Sequence, residues 1–474
     1  MLNKNKTVHF VGIGGIGMSG LAEILHNLEY RVTGSDQVST NLTMRLKGMN
    51  VRVFLKHHRK HVVGAGLVVI SSAISSDNIE VLEAKKRNIP VITRGDLLAD
   101  LVRLKPRAIA VAGSHGKTTT TSMIASILDV ADIHSTMIVG GVLRRKGRSA
   151  NWGKGPYLVT ETDEHDGSFL KLAPTINVVT NIDREHIAYY GSFHNIQKAF
   201  FEFIHKIPFY GFSVLCREDP RIRSMLKNIS VPYVSYGLDS QSDIYSRKIK
   251  ISKDVFKMQT QFDVFNNNKN LGKIGRMGSI QLKAIGEHNI LNALASIAVS
   301  LGLGISFDTV KKGLCKFEGV ERRLQIKKIA HGCLVIEDYA HHPTEIKATI
   351  RAVRLFEKKR LIVIFQPHLY SRTRDHREEF AKTLAVADIV FITSIYPARE
   401  KPIRGVSARQ IVRMILKKHP DKSVFYVRDK ELLPDKVLNI LEKDDIVLVM
   451  GAGNIYTVTD KLSRFLEIQG LSCT

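Results

Sequence analysis

The chain has 474 residues, 44% of them hydrophobic and 24% charged, with a formal net charge of +25 at neutral pH. At roughly 150 residues per domain, this length suggests about three domains of ordinary globular composition. No apolar run reaches the about 18 residues of a membrane span, and the N-terminal segment lacks the features of a signal peptide, so a cytoplasmic protein is expected. Cys216, Cys315, Cys333 and Cys473 are scattered and form no Cys-x-x-Cys pair, which argues for reduced, mostly buried thiols rather than a zinc site or disulfide framework. Basic residues run along the whole chain, as at 144–148 and 358–360, but no nucleic-acid-binding motif accompanies them. The charge speaks to steering of anions and not to fold; no nucleic-acid partner is expected, and a basic nucleic-acid-binding ATPase is a further alternative.

In chain order, a strand is expected near Thr7–Val11, then the glycines Gly12, Gly14, Gly15 and Gly17, then a helix over Met18–Leu28. Further strands near Arg31–Gly34, Leu67–Ile70 and Pro90–Ile92 alternate with helices and imply a parallel sheet. The glycine spacing, with Asp36 after the second strand, matches a dinucleotide fingerprint. These glycines specify close backbone approach to a diphosphate, which a UDP-sugar also carries. No dehydrogenase Cys or His constellation follows, so a UDP-sugar is preferred and an NAD-linked oxidoreductase is the alternative from another class.

A second unit opens near Pro106. A strand over Ala108–Ala112 runs into Gly113-Ser114-His115-Gly116-Lys117-Thr118-Thr119 and a helix reaching Leu128. Backbone N–H groups of such a loop, together with a helix N-terminus, favour phosphate. Lys117 suits the β/γ-phosphates and the Thr118 hydroxyl suits Mg²⁺. The usual spacing puts a glycine at 111, where this chain has Val111. Strands at Tyr157–Val159 and Ile176–Thr180 end in acid- and histidine-rich segments, which would place Lys117, Glu161 and His186 around one crevice outside the carboxyl ends of the strands. Glu161 is the expected metal ligand there. The polar stretch 236–282 reads as strands and turns, and a helix over Asn289–Leu301 follows. A third unit from Leu324 carries strands at Leu334–Glu337, Leu361–Phe365, Ile389–Thr393, Val424–Val427 and Ile446–Met450, a second open α/β sheet.

The segments GIGGIGMSGLA from Gly12, GSHGKTTTTSM from Gly113, ETDEHDGSFL from Glu161, TNIDREH from Thr180, GEHNILNALA from Gly286 and FEGVERRLQ from Phe317 occur in that order. They are followed by DYAHHPTE from Asp338, QPHLYSRTRD from Gln366, YPAREKPIRG from Tyr396 and GAGNI from Gly451. On these motifs the chain resembles the Mur ligases. The resemblance implies an α/β protein of three domains. Residues 1–105 form a Rossmann-like UDP-binding domain, residues 106–323 a central P-loop ATPase domain with a mostly parallel sheet, and residues 324–474 a Rossmann-like domain that closes on ATP and the amino acid. It implies ATP and Mg²⁺ as cofactors and L-alanine joined to the lactyl carboxylate of UDP-N-acetylmuramate, with attachment of a recycled tripeptide as the alternative. Residue by residue, it implies Gly113 to Thr119 at the ATP phosphates, with Thr118, Glu161 and His186 around the metal. Asn289 and Asn292 lie near adenine, Arg323 near the phosphates and Asp338 near the ribose. His341 and Arg372 line the reacting end, and Gly12, Gly14, Gly15, Gly17, Ser71 and Ser72 approach the UDP part. The chain departs from the family pattern at Leu369, where some relatives carry Arg, and at Ser72, where proline is common.

Overall fold

The computed structural model describes residues 6–144, 147–252, 254, 258–330, 332–356, 360–398 and 400–470. Three sheets follow one another along the chain. The first holds β1 (Thr7–Val11), β2 (Arg31–Asp36), β3 (Arg52–Leu55), β4 (Ala65–Ile70) and β5 (Val91–Thr93), ordered β3-β2-β1-β4-β5 with parallel pairing. The strand order reverses beside β1, and the glycine loop leaves the carboxyl end of β1 at that switch point, where such sheets bind ligands.

The second sheet has ten strands: β6 (Arg107–Ala112), β7 (Thr136–Leu143), β8 (Arg148–Asn151), β9 (Tyr157–Glu161), β10 (Ile176–Val179), β11 (Phe212–Cys216), β12 (Tyr233–Gly237), β13 (Ile244–Ile251), β14 (Thr260–Asn266) and β15 (Gly275–Leu282). Their order is β15-β14-β13-β12-β11-β10-β6-β9-β7-β8. The central strand β6 pairs in parallel with β9 and β10, so the loop after Ala112 is flanked by the ends of both neighbours. These strands are nearly continuous apolar runs because helices cover both faces of such a sheet.

The third sheet comprises β16 (Gln325–Ala330), β17 (Cys333–Asp338), β18 (Leu361–Phe365), β19 (Ile389–Thr393), β20 (Ser423–Val427) and β21 (Ile446–Met450), ordered β16-β17-β21-β18-β19-β20. Only the β16–β17 pair is antiparallel among those described for this sheet. Two buried apolar clusters hold it, one around Ile336, Val363, Phe365 and Leu448 and the other around Val335, Ile364, Val447 and Leu462.

By contact density the chain forms two compact units. The first and second sheets share one, and the described residues within 251–260, 284–287 and 319–470 make the other. No helix among the described residues is long and apolar enough to cross a membrane. Cys216 and Cys333 are buried as expected, but Cys315 is exposed near the end of helix Phe307–Cys315; Cys473 lies outside the described residues.

Candidate active site

The second glycine loop, Gly113 to Thr119, is built by steric exclusion. Gly113 has φ +129°, and a Cβ there would stand 2.2 Å from Thr180 Oγ1; Gly116 has φ +82°, and its Cβ would meet Asn292 Oδ1 at 2.5 Å. Only glycine serves at these two positions. Val111 is no defect in the loop. It is fully buried inside β6, in register with Val178 and Glu161, so the strand is still running where the longer motif would already turn.

The segment after β10 clamps the loop. Asn181 Oδ1 accepts from His115 N at 2.9 Å, Thr180 Oγ1 donates to the His115 carbonyl at 2.6 Å, and Asp183 N donates to Ser114 Oγ at 2.8 Å. His115 Nε2 lies 3.2 Å from Asp183 Oδ2. Helix Lys117–Val130 then starts at the loop, its first N–H groups lacking intrahelical partners and so available to an anion. Thr119 is the third residue of that helix. Asn289 and Asn292, on helix Glu287–Gly302, are both buried. Asn292 braces the loop from behind, facing Gly116 and accepting from Thr120 Oγ1, while its amide donates to Asn289 Oδ1.

Acids meet the loop from β9. Thr118 Oγ1 donates to Glu161 Oε2 at 2.6 Å, and Lys117 Nζ donates to Glu164 Oε1 at 2.7 Å and to the Gly113 carbonyl at 2.6 Å. Lys117, Glu161 and His186 therefore do converge on one end of the sheet. Sequence reasoning singled out Glu161 and passed over Glu164, which is the more deeply placed acid. One oxygen of each of Glu164 and Glu185 and one nitrogen of His186 lie within 4.8 Å of one another, a spacing that fits one cation. Glu164 Oε2 is buried without a hydrogen-bond partner, and burial pushes its carboxyl up to about 7 even with Lys117 beside it. Burial opposes the charge on Lys117, yet the neighbouring Glu164 holds it above its ordinary value. An oxygen-rich donor set with a spare carboxylate oxygen suits a hard cation such as Mg²⁺. His186 also sits 2.8 Å, nitrogen to nitrogen, from His165.

The first glycine loop lies in the same compact unit. Gly12 has φ +81°, and a Cβ on it would approach Ile74 and Ser71 Oγ. Gly14 N donates to Asp36 Oδ2 at 2.8 Å, so Asp36 closes the loop instead of standing clear of it. Gly15 caps helix Ile16–Asn27, and Gly17 lies in its first turn against Arg94. Ser71 is half-buried beside Gly12, and Ser72 is exposed.

The second unit holds the remaining candidates. Asp338 ends β17 buried, with Leu324 N at 2.6 Å and Ala340 N at 2.7 Å; burial raises its carboxyl to about 6. Arg323 lies 3.6 Å from Glu345 and over the Tyr339 ring, between Arg322 and Leu324, which both have positive φ. His341 packs edge-on to His368 at 5.7 Å, and Arg372 Nη1 lies 3.2 Å from His368 Nδ1. His368 thus contacts both residues that the resemblance puts at the reacting end, and it also stacks on Tyr396. Leu369, with φ +70°, opens helix Tyr370–Asp375 from a conformation unusual for a leucine.

Sequence profiles for three consecutive segments match: the Mur ligase family catalytic domain over residues 7–106, the Mur ligase middle domain over 111–300 and the Mur ligase glutamate ligase domain over 322–453. The chain belongs to the Mur ligase family. It is 46% identical over 469 residues to the UDP-N-acetylmuramate–L-alanine ligase of Geobacter sulfurreducens, covering 98% of this chain and 99% of that one. It is 45% identical to the enzyme of the same name from Geobacter sp. strain M21, covering 98% of each. Among solved structures it is similar to the UDP-N-acetylmuramate–alanine ligase of Thermotoga maritima, with a TM-score of 0.83, 29% identity and coverage of 98% and 99% of the two chains. A murein peptide ligase from Psychrobacter arcticus, 24% identical with a TM-score of 0.73, shares the Mur ligase fold.

Proposed function

We infer that this Mur ligase joins L-alanine to the lactyl carboxylate of UDP-N-acetylmuramate at the expense of ATP, in peptidoglycan precursor synthesis. The observation that carries the reading is end-to-end similarity, at 42–46% identity, to ligases named for that reaction. Tripeptide ligation is the less favoured alternative: among the solved structures compared, two murein peptide ligases match at 24–25% identity, against 29% for the UDP-N-acetylmuramate–alanine ligase of Thermotoga maritima. We further propose that the three sheets correspond to domains divided near residues 105 and 323 and that the enzyme works in the cytoplasm.

In this reading the substrate carboxylate attacks the γ-phosphorus of ATP, the bond to the β-bridging oxygen breaks, and ADP leaves. The free amine of L-alanine, having lost a proton, attacks the acyl phosphate carbon, and inorganic phosphate departs. Two anions must approach each other in the first step, so positioning and charge compensation dominate. Lys117 provides a fixed positive charge at the phosphates, kept protonated by Glu164. Within Gly113 to Thr119, the N–H groups that open helix Lys117–Val130 supply backbone donors and Thr118 its hydroxyl, while Asn181 holds the N–H groups of Ser114 and His115. Glu164, Glu185 and His186, with Thr118 and Glu161 beside the loop, are the residues that would hold Mg²⁺, which when bound screens the phosphate charge. Gly12 to Gly17, with Ser71 and Ser72, would receive the UDP diphosphate. Asn289, Asn292, Arg323 and Asp338 would serve the nucleotide, and His341 and Arg372 the acyl intermediate.

The test is phosphate release and product mass with ATP, Mg²⁺ and UDP-N-acetylmuramate against L-alanine, L-serine, glycine and tripeptide. Release with L-alanine and a product heavier by one alanine residue is expected. No release with any amine would sink the reading.

A further inference from the structure

One side chain joins the helix behind the first glycine loop to the acidic segment after β9. Arg94 opens helix Arg94–Arg103 directly after β5. Its Nη2 donates to Asp163 Oδ2 at 2.9 Å, while its Cδ and Nη1 lie 3.2 Å from where a Cβ on Gly17 would stand. The same guanidinium therefore touches the first turn of the helix behind the first loop and the acidic segment that follows β9. Neighbouring contacts fasten helix Arg94–Arg103 to the turn Ser168–Lys171 that follows the acidic segment. A Cβ on Gly95 would fall 2.5 Å from Ser168 Cβ, and Asp96 pairs with Lys171 at 2.6 Å.

From Asp163 the connection runs straight to the phosphate loop. Asp163 Oδ1 accepts from His165 N, and the Asp163 carbonyl accepts from Phe169 N and Ser168 Oγ, so the segment is a tied turn. The next residue is Glu164, bonded to Lys117, with its carbonyl held by the Tyr190 hydroxyl. A guanidinium offers five N–H donors in a planar fork and can serve two anions on different edges, which an ammonium does less well. A diphosphate at the first loop would face the edge near Gly17 while Asp163 keeps the other.

We propose that Arg94 is a positioning residue that couples a nucleotide-sugar diphosphate on the first glycine loop to the Asp163–Glu164 segment, and through Lys117 to the ATP phosphates. This rests on the reading of Gly12 to Gly17 as the diphosphate site of the sugar substrate. The two ligands then bind cooperatively, and the coupling is reciprocal.

The experiment measures, by calorimetry on the full chain with Mg²⁺, the Kd of UDP-N-acetylmuramate with and without a β,γ-non-hydrolysable ATP analogue. In the wild type the analogue is expected to tighten the sugar nucleotide by about 5- to 150-fold, the usual span of such coupling. In Arg94→Lys, Arg94→Ala and Asp163→Asn that factor falls to within about twofold of unity, and Arg94→Ala with Asp163→Asn falls no further than either alone. Each variant still binds the analogue by itself, which a collapsed fold would not. A coupling factor of unity in the wild type, or one left intact in the Arg94 variants, overturns the proposal. Absence of any UDP-N-acetylmuramate binding to the wild type instead overturns the reading of the first loop.

Discussion

Replacing Glu164 with Gln separates what this acid contributes to catalysis from what it costs the resting fold. The side chain is 3% exposed, one oxygen has no partner, and burial lifts its carboxyl from 4.5 to about 7. The folded value lies above the unfolded one, so the folded protein binds this proton more tightly than the unfolded chain does. The group is neutral to stability below about 4.5 and becomes destabilising as pH rises, reaching a plateau above about 7. At about 1.4 kcal/mol per pH unit, the interval corresponds to about 3 kcal/mol at pH 8. The value of about 7 already includes the attraction of Lys117 Nζ at 2.7 Å, and Gln keeps an oxygen for that donor, so the variant should gain up to about 3 kcal/mol at pH 8. Denaturant unfolding of the ligand-free protein should show wild type and E164Q nearly alike at pH 5 and the variant more stable at pH 8. Turnover should fall by about a hundredfold or more, the loss of a few kcal/mol of charge stabilisation, and Mg²⁺ should no longer raise the variant's stability. A variant less stable than wild type at pH 8 would refute the argument, because the Lys117 pair would then outweigh burial.

Lys117→Met should lower turnover by about a hundredfold or more in a phosphate-release assay on protein whose circular dichroism is unchanged; near-normal turnover would remove Lys117 from the chemistry. Gly116→Ala combines a left-handed backbone with a Cβ at 2.5 Å from Asn292 Oδ1, so it should destabilise by at least about 1 kcal/mol and impair ATP binding. Adding Asn292→Ala should recover part of the stability, since the clash partner is gone. In the first sheet, Glu80 is fully buried, accepting from Ser35 Oγ and His58 N, with His61 Nδ1 at 2.7 Å, His57 Nδ1 at 3.2 Å and His9 Nε2 at 3.6 Å. Burial pushes its carboxyl up, but the nearby His9 ring and the hydrogen bonds from Ser35 Oγ and the His58 amide outweigh this and hold it at about 2. Its folded value is depressed, so its stabilisation is complete above about 4.5 and is lost as pH falls through about 2. Glu80→Gln should therefore cost about 3 kcal/mol at pH 6 and progressively less toward pH 2, read from denaturation midpoints; equal midpoints at pH 6 would contradict it.

What could be read from the residues was local. Leu361–Phe365, Ile389–Thr393 and Ile446–Met450 are unbroken apolar runs, the pattern of parallel strands buried on both faces, and the structure places strands at those bounds. Thr136–Leu143 contains two consecutive glycines and Arg148–Asn151 is mostly polar, so neither announces a strand; β7 is held by pairing with β9, and β8 by antiparallel pairing with β7 at the sheet edge. Asp36 shows the same limit at a site. Its position after the second strand matches a ribose-binding acid, yet nothing in the spacing says that its carboxylate will bond Gly14 N.

Glu161 and Glu164 show where local reading stops most clearly. Both stand in one quoted motif three residues apart, and the strand-end rule favours Glu161 because it closes β9. The structure uses that residue against the Thr118 hydroxyl, while the turn after the strand carries Glu164 back to Lys117 and toward Glu185 and His186. That turn is set by Asp163, whose carboxylate is held by Arg94 from 69 residues earlier in the chain. Choosing between the two acids thus required a contact between the first and second sheets, which no spacing within the motif encodes. The same contact is the one through which a ligand on the first loop can be felt at the second.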